Sequence, residues 1–314
     1  MKLVVQIPCL NEEATLPLVL DSIPSKIEGI DDIEILIIDD GSTDHTVKIA
    51  KEHGVKHFVR HARNQGLGQS FHDGVMKALE MGADIVVNTD GDNQYPQNRI
   101  GDLVRPILDG QADIVIADRQ THKIEHFSWF KKLLQRLGSA VVNKAAATKL
   151  PDAASGFRAY SRESLIRLNT ITRFSYCTET IIQAGNKGLH IESVEVDTNP
   201  KLRESRLFKN TWEHVLKSGV TIIRAFIMYK PYLLFGWAAI ILFILGLIPF
   251  ARFIIFSLRD GSTAGHIQSL LIGSLLMITA ILCVALNVIA DLIRINRVLI
   301  EDNLEQTKRL RFDK

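Results

Sequence analysis

Two apolar runs near the C-terminus constrain this 314-residue chain more than any other feature. Tyr232 to Phe256 and Ile267 to Ile293 are each about 25 residues long and almost free of charge, enough to cross a hydrocarbon core. Arg252 and Asp291 fall near their ends, where polar heads reach the interface. The remaining chain offers too little surface to bury two such helices. Ser257 to His266 is a short polar connection, so the runs form a hairpin with both chain ends on one side. Arg224, Lys230, Arg294, Arg297, Lys308, Arg309 and Arg311 flank that side, and the connection carries Arg259 alone, beside Asp260. The positive-inside rule predicts a multi-pass membrane protein with its large N-terminal part in the cytoplasm. Leu3 to Ile7 has only the length of a strand and stops at Pro8, unlike a secretory signal.

Upstream of residue 230, strands alternate with helices. Lys2–Ile7, Glu34–Ile38, Lys56–Arg60, Ala83–Val87, Asp113–Ala117 and Ile191–Val196 read as strands. Helices fall after Glu13, over Thr46–His53 and Ser70–Met81, and near Ile100–Leu108. This alternation predicts an α/β fold with a mainly parallel sheet, whose ligands bind beyond the carboxyl ends of the strands. Polar groups cluster at those ends: Asn11-Glu12, Asp39-Asp40, Asn64, Asp90-Asp92 and Arg119. Asp90 and Asp92, one glycine apart, can turn toward a common point, and hard divalent cations such as Mg²⁺ or Mn²⁺ take such carboxylates together with phosphates. Gly91 is expected to let the backbone bring them close. The plainer reading of each loop is a turn or helix cap.

A net charge of +2 is too mild for nucleic-acid binding, and Cys9, Cys177 and Cys283 form neither a CxxC pair nor a disulfide framework. Gly66-x-Gly68 lacks the third glycine of a dinucleotide fingerprint. His53, His57 and His61 recur every four residues, but Gly54 and a strand interrupt the helix that this spacing needs; they read as unrelated surface residues. Thr211 to Tyr229 carries an apolar stripe and reads as an interfacial helix, whereas Phe127–Leu137 reads as a packed amphipathic helix. Gly273, Ser274 and Ala280 offer a surface through which spans of a homo-oligomer could pack.

The ordered set Ile7-Pro8-Cys9-Leu10-Asn11-Glu12, Ile38–Asp44, Asn64-x-Gly66, Asp90-Gly91-Asp92-Asn93-Gln94, Asp118-Arg119 and Ser155-Gly156-Phe157-Arg158 resembles family 2 glycosyltransferases of the GT-A fold. The similarity runs over roughly residues 3 to 210 and is nearest to polyprenyl- or dolichyl-phosphate sugar synthases, some of which carry C-terminal spans. Gly91 and Asn93 replace Ala and Leu of many relatives but leave the acids in place. The resemblance implies that Pro8, Asn11, Glu12, Asp39, Asp40 and Asn64 meet the nucleotide, with Asp39 at the base and Asp40 near the ribose. It makes Asp90 and Asp92 the DxD pair, Asp92 on the metal, Asp90 on ribose or metal, and Gln94 a further metal-side group. Asp152 would orient acceptor or sugar, Arg119 would approach phosphates, and Arg203 and Arg206 would close over the donor diphosphate. Arg119, Lys131, Lys132 and Ser155 would serve the acceptor phosphate, with Arg158 a further cationic candidate. Glu179 matches an acidic position or is a solvated helix residue.

The implied reaction is inverting transfer of a sugar from a nucleotide diphosphate to polyprenyl phosphate. A second phosphate pKa near ~6 leaves that nucleophile ionised without a strong base; the site needs a divalent ion and cationic guidance. A hydroxyl-bearing lipid or lipid-linked glycan acceptor, which needs a base, and a catalytically silent membrane subunit are the alternatives. The expected organisation is a catalytic domain over 1–210, an interfacial helix over 211–230, two spans over 231–294 and a cytoplasmic tail over 295–314.

Overall fold

A computed structural model describes residues 1–120, 129–170, 176–200, 232–260 and 267–312, with backbone alone over 129–137 and at 260. Arg203, Arg206, the 211–230 helix and the Lys131 and Lys132 side chains lie outside the described residues. Contacts divide the chain into two compact units, Met1–Ser218 with Glu301–Lys314, and Gly219–Ile300.

The first unit is built on one seven-stranded sheet, ordered β3-β2-β1-β4-β6-β5-β7. The strands are β1 (Lys2–Cys9), β2 (Asp32–Asp39), β3 (His57–Arg60), β4 (Ile85–Asn88), β5 (Ile114–Asp118), β6 (Arg158–Ser161) and β7 (Ile191–Glu195). All neighbours run parallel except β6, which is antiparallel to β4 and β5. Leu3, Val4, Val5 and Ile7 of β1 and Val86 and Val87 of β4 are fully buried. A strand covered on both faces needs no polar alternation, which is why these segments read as continuous apolar runs. Helices α1 (Leu16–Ser22), α2 (Thr46–Glu52), α3 (Leu67–Glu80) and α4 (Ile100–Leu108) connect the strands. Then follow α5 (Trp129–Ala146), α6 (Arg162–Arg167) and α7 (Tyr176–Asn186).

β1 neighbours both β2 and β4, so successive crossovers leave it in opposite directions. Its pairing with β4 ends at Gln6↔Asn88, whereas its pairing with β2 continues to Cys9↔Asp39. A crevice therefore opens between the β1 and β4 ends, the switch point at which such sheets hold ligands. Pro8, with no N–H to give a ladder, stands where β1 has already lost β4.

The second unit holds the two long apolar helices. Helix α8 (Trp237–Asp260) extends four residues into the expected polar connection, and α9 (Ile267–Phe312) runs 46 residues. Their mean hydropathies of 2.6 and 2.5 over the most apolar stretches make both candidate membrane spans. A Cβ on Gly246 would lie 2.9 Å from Met277 Cγ and 3.4 Å from Gly273 O; one on Gly273 would lie 2.8 Å from the Phe250 ring. Ala239 and Ala280, one heptad away on each helix, are also buried. Small residues thus let the two backbones approach, as in membrane helix pairs. Gly273 and Ala280, which the sequence offered as a surface between copies, pack in this seam within the chain.

The last turns of α9 belong to the first unit and meet α6 and the end of α7. Lys308 is buried, and its Nζ donates to Leu165 O at 3.1 Å and to Leu168 O. Arg309 donates to Glu163 at 3.0 Å and to Glu305 at 2.9 Å, while Lys187 lies 3.7 Å from Glu305.

Candidate active site

The loops that follow β1 and β2 lock onto each other through polar side chains. Asn11, in the left-handed region at φ 57°, donates its N–H to Ser42 Oγ at 2.9 Å and accepts from Thr43 N at 2.8 Å through Oδ1. Asparagine tolerates that conformation better than most residues. Glu12 N donates to Thr46 Oγ1 at 2.8 Å, and Glu12 Oε2 lies 3.0 Å from the Thr15 hydroxyl, which also reaches Gly91 O at 2.8 Å. Asp39, 1% exposed, accepts from Ser42 N at 2.9 Å and from Arg60 Nε at 3.4 Å. Gly41 turns this loop at φ 83°, where a Cβ would lie 2.9 Å from Arg63 C.

Asp40 bonds into the loop that follows β3. Its oxygens accept from Gln65 N at 2.8 Å and Gly66 N at 3.0 Å, and His61 Nδ1 lies 2.7 Å away. His61 Nε2 lies 3.1 Å from Asp73 on α3, and its side chain is 5% exposed. This corrects the reading of His61 as a surface residue: it joins Asp40, which holds the loop carrying the exposed Asn64, to Asp73 of α3.

The acidic stretch leaves β4 at Asn88. Gly91 is not the residue that turns it; Asn93 takes the left-handed conformation at φ 59°. Gly91 contributes room, since a Cβ there would sit 3.2 Å from Cys9 Sγ and Glu12 Cγ. Asp92 accepts from Gln94 N at 3.1 Å and Gln94 Nε2 at 2.6 Å, so Gln94 braces Asp92. Asn199 donates to Asn93 O and Gln94 O, each at 3.0 Å, and fixes the loop from the far side. Asp90 lies against Gly156, where a Cβ would be 3.3 Å from its Oδ2. Beneath it Tyr95 accepts Gly156 N at 3.0 Å. Burial pushes the Tyr95 phenol up to about 12, so it stays protonated. Burial, reinforced by Glu12, Asp39 and Asp90, likewise holds the Cys9 thiol well above its ordinary pKa, which removes it as a nucleophile.

Arg119 at the end of β5 and Asp152 form a two-pronged pair, Nε–Oδ2 2.7 Å and Nη2–Oδ1 3.0 Å. Asn143 of α5 sets the Asp152 loop by bonding Leu150 through both N–H and C=O, at 2.9 and 2.8 Å. Arg158 is not a substrate-facing cation. It is fully buried and donates to Ser155 O at 2.7 Å, Cys177 O at 2.9 Å, Thr180 Oγ1 at 3.0 Å and Ala153 O at 3.0 Å. Ser155 and Glu179 are buried as well, so Glu179 is not a solvated first-turn residue.

Among the described residues no group of three or more His, Cys, Asp or Glu is placed to hold a metal. Asp90 and Asp92 are oxygen donors one residue apart on this loop, a donor set whose chemistry suits a hard ion that completes its shell from substrate phosphates. Sequence reasoning missed Asn88, Tyr95, Tyr176, His61 and Asn199; a lone residue in an apolar context carried no signal of convergence.

Comparison with known proteins agrees with this architecture. The chain is 29% identical over 213 residues to a UDP-N-acetylglucosamine–dolichyl-phosphate N-acetylglucosaminyltransferase of Methanococcus voltae, covering 61% of this chain and 83% of that protein. It is 31% identical over 206 residues to a dolichol-phosphate mannosyltransferase of Pyrococcus furiosus, covering 62% and 55%. A crystal structure of glucosyl-3-phosphoglycerate synthase from Mycobacterium tuberculosis, in complex with Mn²⁺, UDP and glucosyl-3-phosphoglycerate, shares the fold. The TM-score is 0.55 at 24% identity, over 72% of this chain and 78% of that one. The model of the family described as "Glycosyl transferase family 2" matches residues 4–168, more than half of the sequence. With the mixed sheet, the switch-point crevice and the acidic pair in place, the chain belongs to glycosyl transferase family 2.

Proposed function

We propose that the protein moves a sugar, with inversion, from a nucleotide-diphosphate donor to the phosphate of a polyprenyl phosphate at the cytoplasmic face of a membrane. The observation that carries the acceptor class is the Arg119–Asp152 pair. Both Asp152 oxygens accept from a guanidinium, at 2.7 and 3.0 Å, and a carboxylate so engaged is a poor general base. An acceptor phosphate needs none, since it arrives ionised. The named activities of the Methanococcus and Pyrococcus relatives and the two apolar helices support the same acceptor.

In this reading the interlocked β1 and β2 loops, with Pro8, Asn11, Glu12 and Asp39, cradle the nucleotide. Asp40 acts through the loop that presents Asn64. Asp90 and Asp92 would hold Mg²⁺ or Mn²⁺, which when bound neutralises charge on the departing diphosphate. Gln94 keeps Asp92 aimed. Arg119, oriented by Asp152, faces the acceptor phosphate with Lys131 and Lys132, whereas Ser155 is too buried to reach it, and Arg203 and Arg206 close over the donor. The catalytic domain over 1–210, a membrane-surface helix over 211–230, two spans over 231–294 and a cytoplasmic tail complete the organisation.

The test incubates purified protein with Mn²⁺, a panel of nucleotide sugars and a short polyprenyl phosphate. A lipid-linked sugar from one donor is expected. Transfer only to a hydroxyl-bearing lipid, or to none, would overturn the reading.

A further inference from the structure

Gly156 meets the acidic pair through what it lacks. A Cβ built on it would stand 3.3 Å from Asp90 Oδ2, 3.5 Å from Asp90 Oδ1 and 3.4 Å from the Tyr176 hydroxyl. A methyl group there would press on one edge of the Asp90 carboxylate, which would have to give by a few tenths of an ångström. Both backbone groups of Gly156 are held by buried side chains. Its N–H donates to Tyr95 Oη at 3.0 Å. Its carbonyl accepts from Tyr176 Oη at 3.1 Å and from Asn88 Nδ2 at 3.0 Å. Asn88 is itself fixed by Gln6 Nε2 at 3.0 Å.

The phenols are held by their rings. Tyr176 stacks on Phe71 with centroids 4.0 Å apart and planes 3° from parallel, and Tyr95 stacks on Phe157 at 5.1 Å. Tyr176 is fully buried and Tyr95 is 3% exposed, so neither is placed to touch solvent or a donor. Two aromatic residues 81 positions apart thus converge on one glycine beneath one carboxylate. An apolar pair of phenylalanines would pack equally well, so the hydroxyls answer to Gly156 and not to core filling.

We infer that Gly156 is the seat of Asp90, and that Tyr95 and Tyr176 are positioning residues that hold this seat in register for divalent-ion binding. The inference rests on the reading of Asp90 and Asp92 as the ion site. Mutating groups that orient a ligating side chain typically costs about 10- to 100-fold in metal affinity.

The experiment titrates Mn²⁺ into the full chain in detergent, by electron paramagnetic resonance, with UDP or GDP, whichever the unmodified protein binds. Asp90→Asn, Asp92→Asn, Gly156→Ala, Tyr95→Phe and Tyr176→Phe are compared, with thermal midpoints taken in parallel. Gly156→Ala is expected to weaken Mn²⁺ about 10-fold or more, each Tyr→Phe by less, and excess Mn²⁺ is expected to restore turnover in all three. Rescue by the ion is a result that a merely structural role does not produce. If Asp90→Asn binds Mn²⁺ normally, this inference falls; if Asp92→Asn does so as well, the ion-site reading falls with it. If Asp90→Asn fails to bind while Gly156→Ala and Tyr176→Phe bind normally, only the inference falls. Should Gly156→Ala not fold, Tyr176→Phe decides, since it keeps the ring stack and removes one hydroxyl.

Discussion

Arg119 and Asp152 are joined as one pair, yet removing one or the other is not equivalent. The Asp152 side chain is 1% exposed and that of Arg119 20%. Truncating Arg119 leaves a carboxylate that water barely reaches without its two-pronged partner. Truncating Asp152 leaves a long side chain that can turn its charged head outward. Breaking a buried pair from the worse side costs about 3–5 kcal/mol, whereas loss of a charge-assisted hydrogen bond costs about 1.5–3 kcal/mol. In a domain of this size each kcal/mol lowers Tm by roughly 2–4 °C. Arg119→Ala is thus expected to melt about 10 °C below the unmodified chain and Asp152→Ala about half as far below.

A thiol-reactive fluorophore reads the transition in detergent, because Cys9 and Cys177 are both buried and free. The double variant Arg119→Met/Asp152→Leu should regain most of the lost stability while remaining inactive, since an apolar pair needs no partner. Asp152→Ala melting as low as Arg119→Ala, or a double variant no better than the worse single one, would refute this account.

The C-terminal turns make a second, screened latch. Glu163→Arg and Arg309→Glu should each expose the tail to trypsin, and the charge swap of both should protect it again, with an effect of about 1 kcal/mol or less that fades in salt. Tyr95, with its pKa raised to about 12 by burial, and Tyr176 and Tyr160, raised for the same reason, keep their protons in the fold after an unfolded chain has lost them near ~10. Their contribution is present below pH ~10 and is lost as pH rises toward the folded values, so stability should fall by about 1.4 kcal/mol per unit per phenol, with the phenolate absorbance of these three appearing only on unfolding. Gly246→Leu should force the helices of the hairpin apart, and disulfide yield between cysteines placed at Ala239 and Ala280 should drop with it.

Periodicity made the sheet legible where burial is simplest. Fully covered parallel strands such as β1 and β4 are apolar runs, and the acids beyond them mark the edge that binds. The antiparallel β6 escaped because it is four residues long and opens with Arg158, which looks like a surface cation in any linear reading. Only the fold supplies the four carbonyl and hydroxyl acceptors that make its burial tolerable. His61 escaped similarly: its partners Asp40 and Asp73 lie on other elements, and a four-residue histidine spacing pointed to nothing. Residues 295–314 read as a cytoplasmic tail, although Glu305 and Arg309 already had the i,i+4 spacing of a continuing helix.

The same pairings decide where the donor's phosphates find positive charge. In the described site, Arg119 is turned to Asp152, Arg60 to Asp39, and Arg158 to carbonyls of its own chain. On the proposed reading Arg119 serves the acceptor, and guidance of the anionic donor is assigned to the divalent ion and to the basic segment Lys201-Leu202-Arg203-Glu204-Ser205-Arg206. A charge-assisted hydrogen bond to phosphate is worth about 1.5–3 kcal/mol, or roughly tenfold or more in affinity. Arg203→Ala and Arg206→Ala should therefore each raise the donor KM about tenfold and flatten its dependence on salt, with the Mn²⁺ requirement unchanged. A donor KM that ignores both substitutions would mean that the cationic guidance resides elsewhere, and Arg119 would then have to exchange Asp152 for phosphate during each turnover.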